Sequence, residues 1–332
     1  MSVAWASATG LRAFLVAVTL VLSGCASEPL VPVSASTWRQ VDADIAAVSR
    51  EAANQARKHA LRDMQRWMEL VYRQTDDEFI PWFSGYWTQQ WLSMKVSWYK
   101  LSAGGDKDPT VARLALYLQE QYNERGLEPV AEEIDPGLIL QRATSLYVRH
   151  LDIGLRPLGE RHGVPLQQFE EHLQAIPAIN LAPGASLYQL LQADPLERLP
   201  AYAALLDGIR AAPGGAGDWS NDPGISVVAQ RTSERLVDEM TTSGAASAVS
   251  AMVGRVAGAS ISLGVALFTV LAREEARPES EAQLRSNLRN SFHQEWQELM
   301  HSPERGVLAG VERLSGQIEG ALGRPLRYRS VP

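Results

Sequence analysis

A chain of 332 residues that is 45% hydrophobic and 21% charged has the make-up of a globular protein and excludes a wholly disordered one. A net charge of −7 argues against a nucleic-acid binder, which needs a basic face. A single cysteine excludes an intramolecular disulfide framework and any multi-cysteine zinc or iron–sulfur site.

The amino end carries the most specific pattern in the chain. Arg12 precedes an apolar run, AFLVAVTLVL, that ends in Leu22-Ser23-Gly24-Cys25. The run has the length of a signal-peptide core and is too short to span a bilayer as a helix. An aliphatic residue, two small residues and a cysteine after such a run resemble the lipobox of bacterial lipoprotein precursors. The resemblance covers about the first 30 residues. It implies a diacylglycerol on the Cys25 thiol, cleavage that removes 1–24 as a signal, and acylation of the new amino group. Ala26 and Ser27 come directly after the cysteine. The absence of an aspartate there favours the outer membrane, facing the periplasm, over the inner membrane. Residues 25–36, rich in Pro and Ser, read as an extended tether.

Helical spacing governs the chain beyond the tether. Trp38, Val41, Ile45, Val48, Ala52, Ala56, Ala60, Met64 and Trp67 recur at three and four, which is one face of a helix reaching about Tyr72. Thr37 or Ser36 is the expected cap. A second helix is expected from Pro81 to Leu101, with Asp76, Asp77 and Glu78 as charges complementing its amino terminus. Paired acids are the alternative role for those three. A third helix is expected over 108–122, broken by 123–126. Others are expected over 136–158, 165–174, 186–192 and 196–211. No run alternates as several strands would, so the fold class is mainly α: a helical bundle with long amphipathic helices and one apolar, small-residue-rich helix.

Residues 37–210 are read as one α-helical domain, and the Gly/Pro-rich stretch 211–224 as a loop or linker. A carboxy-terminal helical subdomain is expected over 225–323. It holds helices over 225–240 and 243–272, then two amphipathic ones. The first presents Leu284, Leu288, Phe292, Trp296 and Leu299; the second presents Val307, Val311, Leu314, Ile318 and Leu322. Residues 324–332 form a tail.

Residues 243–272 carry one charge, Arg255. Ala246, Ser250, Gly254, Gly258, Ser262 and Ala266 recur every four positions, a strip that lets helix backbones approach closely. The segment reads as the central helix of a bundle. A membrane-spanning helix is the competing reading, with Arg255 its chief cost.

Five of the nine tryptophans lie between Trp67 and Trp98. Trp87, Trp91 and Trp98 share a helix face with Met94. The expectation is core packing. The alternative is a membrane-interface or ligand-facing surface, where aromatic rings with one polar edge are favoured.

Signatures of chemistry are weak. Glu298 and His301, His150 and Asp152, and Glu171 with His172 place a carboxylate near an imidazole, but no HExxH, CxxC, GxSxG or phosphate-loop pattern accompanies them. No metal, cofactor or catalytic residue is therefore assigned, and nucleic acid is not an expected partner. The expected function is a lipid-anchored envelope protein of a diderm bacterium, a non-enzymatic scaffold or accessory subunit. Its expected partners are the membrane, through acylated Cys25, and a protein of the envelope. The alternatives are a membrane-active protein working through 243–272 and a periplasmic hydrolase.

Overall fold

A computed structural model describes residues 32–104, 107–213, 215–216, 233–234, 237–238 and 277–323. Cys25, the rest of 1–31 and the ridge from Ala246 to Ala266 lie outside them. So do most of 217–276 and the tail 324–332.

The fold is mainly α. Its axis is α1 (Ala35–Gln74), whose buried side chains include Trp38, Val41, Ile45, Ala52, Ala56, Ala60, Met64, Trp67 and Val71. The spacing selects all of these but Val71; it also selects Val48, which is only half-buried, Ser49 being the residue buried at that turn. Helix α1 begins earlier than expected, inside the stretch read as tether. Ser34 is the N-cap, and its Oγ accepts from Thr37 N at 3.1 Å. Ser36 and Thr37 are thus already helical, because a serine two residues upstream reaches the free amide first.

The chain does not restart at Pro81. It passes from α1 through a π-helical turn, Thr75–Phe79, directly into α2 (Ile80–Ser84). The break comes at Gly85, whose backbone is extended and whose carbonyl accepts from Gln89 N at 3.0 Å to start α3 (Tyr86–Ser102). Helix α4 (Lys107–Tyr122) likewise does not stop at Asn123. It continues through a second π turn, Asn123–Leu127, into α5 (Glu128–Glu133). A π turn inserts a residue without breaking the helix, so the breaker-like residues at both joints do not end it. The two π turns meet. Tyr122 donates to Thr75 Oγ1 at 2.7 Å, and Thr75 Oγ1 in turn donates to the Val71 carbonyl. Gln74 Nε2 donates to the Arg125 carbonyl at 2.9 Å.

Helix α6 (Pro136–Leu155) packs along α1. It ends before Pro157, which cannot donate an amide hydrogen bond, and α7 (Leu158–Arg161) and α8 (Leu166–Ala175) come after it. A hairpin unforeseen in the sequence is next. Strand β1 (Pro177–Ile179) pairs antiparallel with β2 (Ala185–Ser186). Strands of three and two residues are too short to display alternation. Ser186 then caps α9 (Leu187–Gln192) with a reciprocal bond to Gln189. A 3₁₀ turn, Leu196–Arg198, precedes α10 (Pro200–Arg210).

Helices α11 (Arg277–His301) and α12 (Ala309–Leu322) pack into the same core as α1. Leu284, Leu288, Phe292 and Leu299 are buried, as are Val307, Val311, Leu314 and Ile318. Trp296 and Leu322 are half-buried. Of the described residues before Ala35, only Val33 packs against this core. A chain that starts at residue 26 therefore keeps every buried side chain among those described.

Two glycines set how closely the helices approach. A Cβ at Gly154 would lie 2.5 Å from Val48 Cγ1, and a Cβ at Gly310 would collide with Thr144 Oγ1 across the α6–α12 contact. Thr144 is fully buried, and its hydroxyl donates to the Leu140 carbonyl at 2.8 Å, so it cannot swing aside. Gly310→Ala should destabilise the fold by about 1–3 kcal/mol, the range for overpacking. Adding Thr144→Ala should recover part of that loss in a urea titration. Equal losses with and without Thr144→Ala would show that this contact does not set the spacing.

Candidate functional site

Helix α3 has two apolar faces. One is used by the fold: Leu92 is 0% exposed and Val96 is 2% exposed. On the opposite side Trp87, Trp91, Met94, Trp98 and Leu101 fall within about 80° of helix rotation, at 100° per residue. All five face solvent, with Trp87 82%, Trp98 67% and Leu101 79% exposed. The expectation of core packing is therefore wrong for this stripe. It holds for Trp67, Phe79 and Phe83, which are buried. Periodicity identifies a face but does not say which face meets the body, and α3 offered two.

The stripe is about 21 Å long, from position 87 to 101 at 1.5 Å per residue. A shallow groove of about 400 Å³ runs beside it, lined by Gln90, Ser93, Met94, Ser97, Trp98 and Leu101. Tyr86 extends the exposed surface and meets Trp87 edge-on, with ring centroids 5.5 Å apart. Lys95 flanks the other side. Its ammonium lies 3.9 Å from the Tyr117 ring centroid of α4 and 5.4 Å from that of Trp91. It also donates to Tyr99 Oη at 3.4 Å. Cation–π attraction of this kind fixes both the amine and the indole. Lys95 and Lys100 are the charged residues of α3, which has no acid.

The other candidates take structural roles. Asp76 is not an amino-terminal helix charge. It receives Arg285 Nε at 2.9 Å and an Arg289 nitrogen at 2.5 Å, clamping the π turn to α11. Asp77 and Glu78 are exposed. Glu298 pairs with Arg305 at 2.8 Å, whereas His301 Nδ1 contacts the Gln297 carbonyl, so the two do not act together. Asp152 pairs with Arg156 at 2.7 Å, not with His150. Glu171 accepts from Gln167 at 3.1 Å.

Two imidazole–carboxylate pairs went unseen because their partners are far apart in sequence. His172 Nε2 lies 2.6 Å from Asp42, and His162 Nε2 lies 2.9 Å from Asp44. The first fastens α8, and the second the residue that ends α7, to the start of α1. His172 is buried and stacked on Trp38, with centroids 4.3 Å apart, so its ring is part of the packing. Among the described residues no group of three His, Cys, Asp or Glu side chains could hold a metal ion. Nor is any described helix long and apolar enough to cross a membrane.

The chain matches no family model, no curated protein and no solved structure. Among the described residues, the α3 stripe is the row of large apolar side chains that lies outside the core.

Proposed function

We propose that this is a lipid-anchored, mainly α-helical protein of the cell envelope of a diderm bacterium. It is held at the periplasmic side of the outer membrane through acylated Cys25, and it serves as a non-enzymatic scaffold or accessory subunit. The outward stripe of α3 is its working surface. The observation that carries this reading is that stripe: five large apolar side chains in a row, opposite a face that already satisfies the fold. Contiguous exposed apolar surface of this kind marks an interaction site. The anchor is supported by Leu22-Ser23-Gly24-Cys25 after an apolar run.

Mass spectrometry of the mature amino terminus tests the anchor. The expected product begins at Cys25 and carries acyl groups on both its sulfur and its nitrogen. Cys25→Ser should accumulate as an uncleaved precursor, because lipidation and the cut after it both need the thiol. An unmodified cysteine, or a cut elsewhere, would overturn the anchor. Joint replacement of Trp87, Trp91 and Trp98 tests the working surface.

A further inference from the structure

We propose that the α3 stripe docks on the surface of an anionic phospholipid bilayer, with the helix lying in the plane of the interface. The proposal rests on the reading of that stripe as the working surface and does not depend on Cys25. Three observations point to lipid. The first is side-chain chemistry. Three of the five stripe residues are tryptophan, with Tyr86 beside them. Indole and phenol have an apolar body and a polar edge, which suits the boundary between acyl chains and headgroups. Met94 and Leu101 supply purely apolar contact.

The second is charge. The protein is acidic overall, yet the 17 residues of α3 hold Lys95 and Lys100 and no acid. A basic, Trp-rich helix on an acidic protein complements negative headgroups. Lys95 is also held close beside the stripe by Tyr117 and Trp91, so its charge arrives together with the rings. The third is geometry. The stripe is about four turns long, and the groove that Met94, Trp98 and Leu101 share with Gln90, Ser93 and Ser97 is shallow. A peptide or small molecule is gripped by a concave site; a flat, yielding surface such as a bilayer accepts a ridge. Interfacial helices bury one apolar face by several ångströms while the other stays attached to the protein, and the buried Leu92 and Val96 provide that attachment.

The test uses the unacylated chain beginning at residue 26, sedimented with vesicles. One set is phosphatidylcholine alone and the other is phosphatidylcholine mixed with phosphatidylglycerol. The wild-type chain should bind the mixed vesicles more tightly. Trp87→Ser/Trp91→Ser/Trp98→Ser should weaken that binding on the order of a hundredfold without lowering the melting temperature. Lys95→Gln/Lys100→Gln should weaken it about thirtyfold on mixed vesicles and little on neutral ones. Brominated phosphatidylcholine gives a readout that needs no unstable variant. It should quench the wild-type tryptophan emission, and Trp98→Phe should reduce the quenched fraction.

Wild-type chain that ignores both vesicles overturns the proposal. So does binding that survives the triple substitution, since another segment such as 243–272 would then carry it. If the triple variant instead loses self-association or an envelope protein while vesicle binding is absent or unchanged, the stripe remains the working surface and lipid is the wrong partner. If it alters none of these, the working-surface reading falls as well.

Discussion

Trp67→Ala should cost about 3–5 kcal/mol of stability, whereas Trp98→Ala should stay within about 0.5 kcal/mol. Both are tryptophans on helices, and both lie in the aromatic-rich stretch of the sequence. They differ in what surrounds them. Trp67 is 0% exposed, on the buried stripe of α1 between Met64 and Val71. Its removal opens a cavity in a core that cannot fully collapse, so lost burial and lost contacts add. Trp98 points away from Leu92 and Val96 on α3 and leaves no cavity behind. Urea titration of the two variants under one set of conditions decides the matter. Comparable losses would mean that the stripe is covered by part of this chain, and its role as an open surface would be lost.

Stability should fall steeply above about pH 10, by about 4 kcal/mol per pH unit while three tyrosines remain protonated in the fold and ionise in the unfolded chain. Burial raises the pKa of Tyr122, Tyr147 and Tyr202 above the ordinary tyrosine value. Thr75 partly offsets the shift at Tyr122 by hydrogen bonding. Ser49, 2.9 Å from the Tyr147 hydroxyl, does the same there, while the nearby Glu319 carboxylate adds to the rise. At Tyr202, Glu197 adds to the rise and Arg210 opposes it. Proton counts give the sign. Above the ordinary value the unfolded chain has released these protons and the folded chain has kept them, so each rise in pH favours unfolding. The contribution is intact below about pH 10 and is lost above it. Tyr147→Phe should reduce the slope by about a third, since one of the three titrating groups is gone. Phenolate absorbance and helical circular dichroism should change together. Ionisation of all the tyrosines with the helices intact would refute the assignment.

Much of the helical body was legible because burial repeats along it. The face of α1 from Trp38 to Trp67, Val48 excepted, and the apolar rows of α11 and α12 are read directly from spacing, since one side of each helix meets the core. Helix joints were less legible. The π turns at Thr75–Phe79 and Asn123–Leu127 carry the acids, asparagine and glycine that ordinarily announce a stop. They continue because the Tyr122–Thr75 and Gln74–Arg125 hydrogen bonds hold one joint against the other. Gly126 reads as a breaker, yet it sits where a Cβ would lie 3.1 Å from the Tyr122 ring. Its small size serves that close contact.

The fold class, the buried rows of α1, α11 and α12 and the lipobox-like order that ends at Cys25 are all written in the chain. These are local properties, set by side-chain spacing or by adjacency along the backbone. Which of the two apolar faces of α3 is left outside was settled by packing alone. Packing likewise brought Asp76 to Arg285 and Arg289, and His172 and His162 to Asp42 and Asp44. The partners in those contacts are separated by more than a hundred residues. The choice between the faces of α3 depends on how α2 and α4 position it against the body. Both are relations between distant elements, and no periodicity within a single helix encodes them.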